Sequence, residues 1–188
     1  MKGALIIILV LVVGVLIFGG RLMGERNTLV TERNEIDARW AQVDNDMKRR
    51  ADLIPNLVET VKGYAKQEQT VIGEIANARA ALLGARSKQD EINANTQLSG
   101  ALGRLLVLSE NYPQLKSNEN FLRLQDELAG TENRIAVDRR DYNEAVKRYN
   151  TDIELFPRNI AASIFGFTRD DAYFKTSEEE KKVPQVKF

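Results

Sequence analysis

Hydrophobic and polar positions divide the chain into three regimes. Residues 3–20, GALIIILVLVVGVLIFGG, carry no charge, amide or hydroxyl. At 1.5 Å rise per residue this stretch spans about 27 Å, close to the ~30 Å hydrocarbon core of a bilayer. Thirteen of the eighteen are Leu, Ile, Val or Phe. At roughly −0.3 to −0.6 kcal/mol each, they make insertion favourable by about 4–8 kcal/mol. Lys2 and Arg21 flank the stretch, where long cationic side chains reach the head groups. The pattern predicts a membrane-spanning helix within an anchor segment, residues 1–24, carried by Leu5, Ile8, Leu9, Val12, Leu16 and Phe18. A cleaved signal would want a shorter apolar centre and small residues before the cut, and Gly19 and Gly20 offer only a weak site. With no cysteine, a lipid-modified signal is excluded.

From Glu25 onward the pattern becomes polar with a seven-residue apolar repeat, over a region expected to form one helical domain, residues 25–174. One row reads Ile36, Val43, Arg50, Leu57, Tyr64, Val71, Ala78, Ala85, and its partner Trp40, Met47, Ile54, Val61, Glu68, Ile75, Leu82. Steps of three and four mark a helix face packed on other helices. Pro55 predicts a bend near Leu53-Ile54, and Gly63 or Gly73 is a candidate break. A second helix is expected after the capping box Ser87-Lys88-Gln89-Asp90, ending near Asn111-Tyr112-Pro113. A third starts at Ser117 or Asn118, with Phe121, Leu128, Ile135, Tyr142, Tyr149 and Phe156 seven apart. The spacing places these aromatics, with Tyr112, in the core, and Pro157 interrupts the helix. A short apolar turn or helix follows, and then a charged tail, residues 175–188, expected to be largely disordered.

Composition narrows the chemistry. The 188 residues hold 27 basic and 27 acidic groups, so nothing in the balance calls for nucleic acid. Histidine and cysteine are both absent, which removes the commonest general base, thiolate metal sites and every Ser-His or Cys-His arrangement. No spacing suggests a calcium loop, a di-metal carboxylate site or a phosphate loop. The expectation is a protein without catalytic residues, metal or cofactor. Arg21, Arg26, Arg33 and Arg39 follow the span while Lys2 precedes it, and the positive-inside rule then favours a cytoplasmic C-terminal domain.

Three charges occupy positions where the repeat expects apolar groups: Arg50, Glu68 and Asp138. An unpaired buried charge costs several kcal/mol, so Arg50 is expected to pair across the bundle with Glu132 or Asp138, as a register device rather than an active site. Around it, Arg49-Arg50-Ala51-Asp52-Leu53-Ile54-Pro55-Asn56-Leu57 reads as a bend with an apolar inner face. The apolar group Ile160, Ile164, Phe165 and Phe167 is a candidate contact surface, toward the bundle, the membrane or a neighbouring subunit.

The string from Arg49 to Val58, with Leu105-Leu106-Val107-Leu108-Ser109-Glu110-Asn111-Tyr112-Pro113, resembles the LemA family. Asn120-Phe121, Thr131-Glu132-Asn133-Arg134-Ile135, Arg140-Asp141-Tyr142-Asn143 and Phe156-Pro157 extend the likeness over nearly the whole length. The resemblance implies a bacterial single-pass membrane protein whose soluble part is an antiparallel, four-helix-like bundle of long helices. It implies no activity. The repeat yields three long helices, so a fourth must come from a split between residues 39 and 83 or from the segment after Pro157. The expected role is a homo-oligomeric envelope scaffold in the cytoplasmic membrane, with the lipid bilayer and other copies as partners. An accessory or sensor subunit for another membrane protein is the alternative.

Overall fold

A computed structural model describes residues 2–174. The charged tail therefore lies outside the described residues. Among them there are six helices and no strands: α1 Lys2–Tyr64, α2 Gln69–Leu83, α3 Lys88–Ser109, α4 Pro113–Lys116, α5 Glu119–Asp152 and α6 Arg158–Phe165.

Residues 3–20 lie in the first part of α1, and the apolar side chains from Leu5 to Phe18 are exposed on every side. Leu5, Ile8, Leu9, Val12, Leu16 and Phe18 expose between 49% and 69% of their surface. A helix apolar all round belongs in a core or in lipid, and no protein core covers this one.

The helices group into two compact units, one of residues 2–41 with Asp141–Asp171, the other of Gln42–Arg140 with residues 172–174. In the first, the start of α1 runs antiparallel to the end of α5: Trp40 packs edge-to-face on buried Tyr142 at 5.2 Å, and Arg39 meets Asp141 at 3.8 Å. Glu35 pairs with Arg148 one turn further along. Leu29, Ile36, Val146 and Tyr149 fill the interior with Ala161 and Ala162 of α6.

The second unit is an antiparallel four-helix bundle. Residues 42–64 of α1 turn back through residues 65–68 into α2, α2 turns into α3, and α5 returns. The break follows Gly63, and Gly73 lies inside α2, so the split supplies the fourth helix. Val43, Met47, Ile54, Leu57 and Val61 are buried on α1, facing Ile75, Leu82, Leu98, Leu105, Phe121 and Ile135. Ser87 caps α3, its Oγ accepting from Asp90 N at 3.1 Å and donating to the Asp90 carboxylate at 2.7 Å. Asn118, not Ser117, caps α5 by accepting from Phe121 N at 3.0 Å.

Two sequence expectations fail locally. α5 stops at Asp152 rather than continuing to Pro157, so Phe156 falls in a turn and is 78% exposed instead of in the core. Tyr64 leaves the repeat where α1 ends, and its hydroxyl accepts from Asn118 Nδ2 at 2.9 Å.

Pro55 lies inside α1 without ending it. Having no N–H, it leaves the carbonyl of Ala51 without its helical donor. Arg79 of α2 takes that place, its Nε donating to Ala51 O at 2.8 Å. A proline-made vacancy thus becomes a tie between two helices. Arg79→Met is expected to destabilise the bundle by about 1–2 kcal/mol, and by clearly less in a Pro55→Ala background, where the helix satisfies its own carbonyl. Urea unfolding of the two single and one double variant reads the difference.

Candidate functional site

The densest polar constellation in the second unit centres on Arg50. Its side chain is only 5% exposed, inside a ring of apolar residues. A single nitrogen, Nη1, makes its contacts: Glu132 Oε2 at 2.5 Å from α5, Ser99 Oγ at 2.9 Å and Asn95 Oδ1 at 3.3 Å from α3. The contact to Glu132 is ionic without hydrogen-bond geometry. Glu132 Oε2, Arg50 Nε and Asn95 Nδ2 are buried and have no hydrogen-bond partner. Burial lowers the Arg50 pKa, the Glu132 charge opposes this, and nearby Arg139 adds to it. The guanidinium stays charged in any case.

Of the two carboxylates expected near Arg50, Glu132 is the one that touches it. Asp138 lies half-buried further along α5, lining a separate cleft with Asp46, Arg49 and Arg134. Asp46 and Arg134 pair there at 3.3 Å. Glu68 sits at the start of α2 and accepts from Tyr112 OH at 2.7 Å. The two α3 groups, Asn95 and Ser99, were not legible in advance. Both sit on a helix whose apolar rows drew attention to Leu98 and Leu102.

Beside Arg50 opens a groove of about 510 Å³ between α1, α3 and α5. Leu57, Leu102, Leu105, Leu106, Phe121 and Leu128 line it, with Arg50, Glu132 and Ser99 at one side. Such a surface is mostly apolar with a few polar groups, which suits holding another molecule.

In the first unit, Glu32 is 8% exposed and lies against Asp152 and Arg158. Burial, and then the hydrogen bond and charge of Asp152, push its carboxyl up to about 7, against the pull of Arg158 and Arg148. Arg158 is shared among Glu25 at 3.0 Å, Glu32 at 3.7 Å and Asp152. Neither polar constellation brings a nucleophile and a base together. Arg50 and Glu32 instead tie helices together; Arg50 stands in an apolar row of the repeat, and Glu32 stands outside both rows.

The expected contact group divides. Ala161 and Ala162 face inward on α6, Ile160, Phe165 and Phe167 are half-buried, and Ile164 is 60% exposed. Arg26 lies over the Phe165 ring at 5.5 Å.

An exposed apolar span continuous with long packed helices defines a membrane-associated all-α protein. The chain belongs to the LemA family, whose sequence model matches residues 39–188. It is 30% identical to "Magnetosome protein MamQ 2" of Paramagnetospirillum magneticum, over 87% of this chain and 70% of that protein. It is 25% identical to "Protein LemA" of Metamycoplasma hominis, over 94% of this chain and 80% of that protein. "Magnetosome protein MamQ" of Magnetospirillum gryphiswaldense is 24% identical, over 88% and 71% respectively.

Proposed function

We propose that this protein is a non-enzymatic, membrane-anchored scaffold that assembles with copies of itself at a bacterial cytoplasmic membrane. The observation that carries the reading is the all-round exposure of the apolar side chains from Leu5 to Phe18, joined without a helical break to the packed part of α1. Holding chains in a bilayer raises their effective concentration, so a modest contact between copies is enough for assembly. The apolar groove at Leu105, Leu106 and Phe121 supplies a surface for that contact, with Leu106 47% exposed. The arginines after the span favour a cytoplasmic location for the helical bundle.

The test is the size of the full-length protein extracted in detergent. A large, uniform particle formed by the protein alone is expected, and Leu106→Glu is expected to reduce it to a monomer while carbonate-resistant membrane attachment persists. A monomer that enlarges only when a second protein is added would replace the scaffold with an accessory or sensor subunit. The unpartnered polar atoms beside the groove favour that second reading.

A further inference from the structure

Exposed apolar groups gather at the end of the first unit nearest the anchor. Along α5, Tyr142 meets Trp40 and Arg148 meets Glu35, so rising numbers on α5 run toward falling numbers on α1. Residues after Asp152 therefore lie level with residues 25–32, and Arg158 confirms this by reaching both Glu25 and Glu32. At this level Leu155, Phe156 and Ile164 expose 56%, 78% and 60% of their surface. Phe165, beneath Arg26, lies beside them on α6.

Arg26 stands six residues beyond the last residue of the span, about 9 Å along the helix axis. The head-group layer on each side of the hydrocarbon core is roughly 5–8 Å thick. The outer face of α6 and the turn before it therefore lie at the outer edge of that layer, within about one side-chain length of the lipid head groups. We propose that this face is a second membrane contact, with Ile164, Phe156 and Leu155 inserted into the interface of the bilayer that holds residues 3–20. The inference rests on the anchor reading.

Lipid is the occupant because the patch belongs to the same compact unit as the anchor and lies level with the residues that follow it on α1. Its charges are already matched: Arg158 by Glu25, Glu32 and Asp152, and Arg169 by Glu154 and Asp171. Apolar insertion is thus the driving term, in the manner of interfacial amphipathic segments. Held at two places, α1 loses freedom to tilt and α5 is fixed relative to the membrane surface.

The chain has no cysteine, so a single introduced thiol reports one position. Full-length Ile164→Cys, Val10→Cys and Ala38→Cys, the last an exposed position about 27 Å beyond the span on α1, are each labelled with an environment-sensitive fluorophore and placed in phosphatidylcholine vesicles. Lipids bearing a nitroxide near the head of the acyl chain or deep within it serve as quenchers. The position 164 label is expected to be blue-shifted and quenched by the shallow nitroxide, with or without phosphatidylglycerol. The position 10 label is expected to respond to the deep one and the position 38 label to neither. A water-like, unquenched label at 164 with a lipid-quenched label at 10 would overturn the proposal and leave the anchor standing. A blue-shifted label at 164 that no lipid nitroxide quenches would overturn it in favour of a contact with another copy. A water-like label at 10 would end the anchor reading, and this inference with it.

Discussion

Arg50→Ala is expected to lower the stability of the second unit by about 3 kcal/mol, the lower part of the 3–5 kcal/mol range for breaking a buried ion pair. The side chain is 5% exposed, so its removal opens a void and strands Asn95 and Ser99. The loss is not larger because Glu132 is 40% exposed and can turn to water once its partner is gone. All three contacts come from one nitrogen, which leads to a sharper expectation. A lysine concentrates three donors on one atom, so Arg50→Lys should retain much of the stability, at a cost of about 1 kcal/mol. Had the site relied on the two-pronged guanidinium fork, lysine would fail as badly as alanine. Glu132→Gln leaves the buried cation with neutral partners only and should cost more than Arg50→Lys. The pair Arg50→Met with Glu132→Gln is expected to recover most of the loss, because a buried ion pair is replaceable when both charges go. Urea unfolding of the detergent-solubilised full chain, followed by circular dichroism, orders the four variants. An alanine variant as stable as the parent would show that the ion pair contributes nothing.

The first unit should weaken as pH rises from about 5 to about 8. Glu32 titrates near 7 in the folded chain against 4.5 for an ordinary glutamate. Between those values the folded state holds a proton that the unfolded chain releases, so each step upward in pH favours unfolding. The sign is opposite to that of a carboxylate stabilised by a salt bridge. Stability from this group is complete below about 4.5 and lost once pH passes about 7. At 1.36 kcal/mol per unit the shift amounts to roughly 3 kcal/mol as an upper bound, shared with Asp152. Physically, a proton between Glu32 and Asp152 gives the buried Glu32 Oε2 a bonding partner, which it otherwise lacks. Glu32→Gln carries a permanent donor there. It is expected to match the parent near pH 5, exceed it by as much as about 3 kcal/mol near pH 8, and flatten the slope between. Thermal unfolding at several pH values measures this, and an unchanged slope in the variant would assign the pH dependence elsewhere. Arg158 and Arg148 oppose the shift, so Arg148→Gln should steepen the dependence.

The apolar N-terminal helix needed no tertiary information, because eighteen uncharged residues in a row are long and apolar enough to cross a bilayer. The helices and their buried rows were equally legible. Val43, Met47, Ile54, Leu57, Phe121, Ile135 and Tyr142 are buried where the repeat put them, since burial along a helix follows its own period. Helix ends at Ser87 and Asn118 were readable because capping is a local hydrogen bond. Polar partners across the bundle were not, apart from Glu132 as one of two choices for Arg50. Periodicity says which residues face inward, but only packing sets the axial offset between helices, which decides that Nη1 of Arg50 meets Asn95 and Ser99. The same holds for Arg79 reaching the carbonyl that Pro55 vacates, and for the Glu32–Asp152–Arg158 cluster, whose members stand up to 126 residues apart. Sequence by itself determined the apolar N-terminal helix, the helical class and the inward faces, because these follow from local composition and period. The tertiary structure alone decided which charges meet, where the helix after Pro157 settles and which apolar groups stay uncovered, because those depend on contacts between residues far apart in the chain.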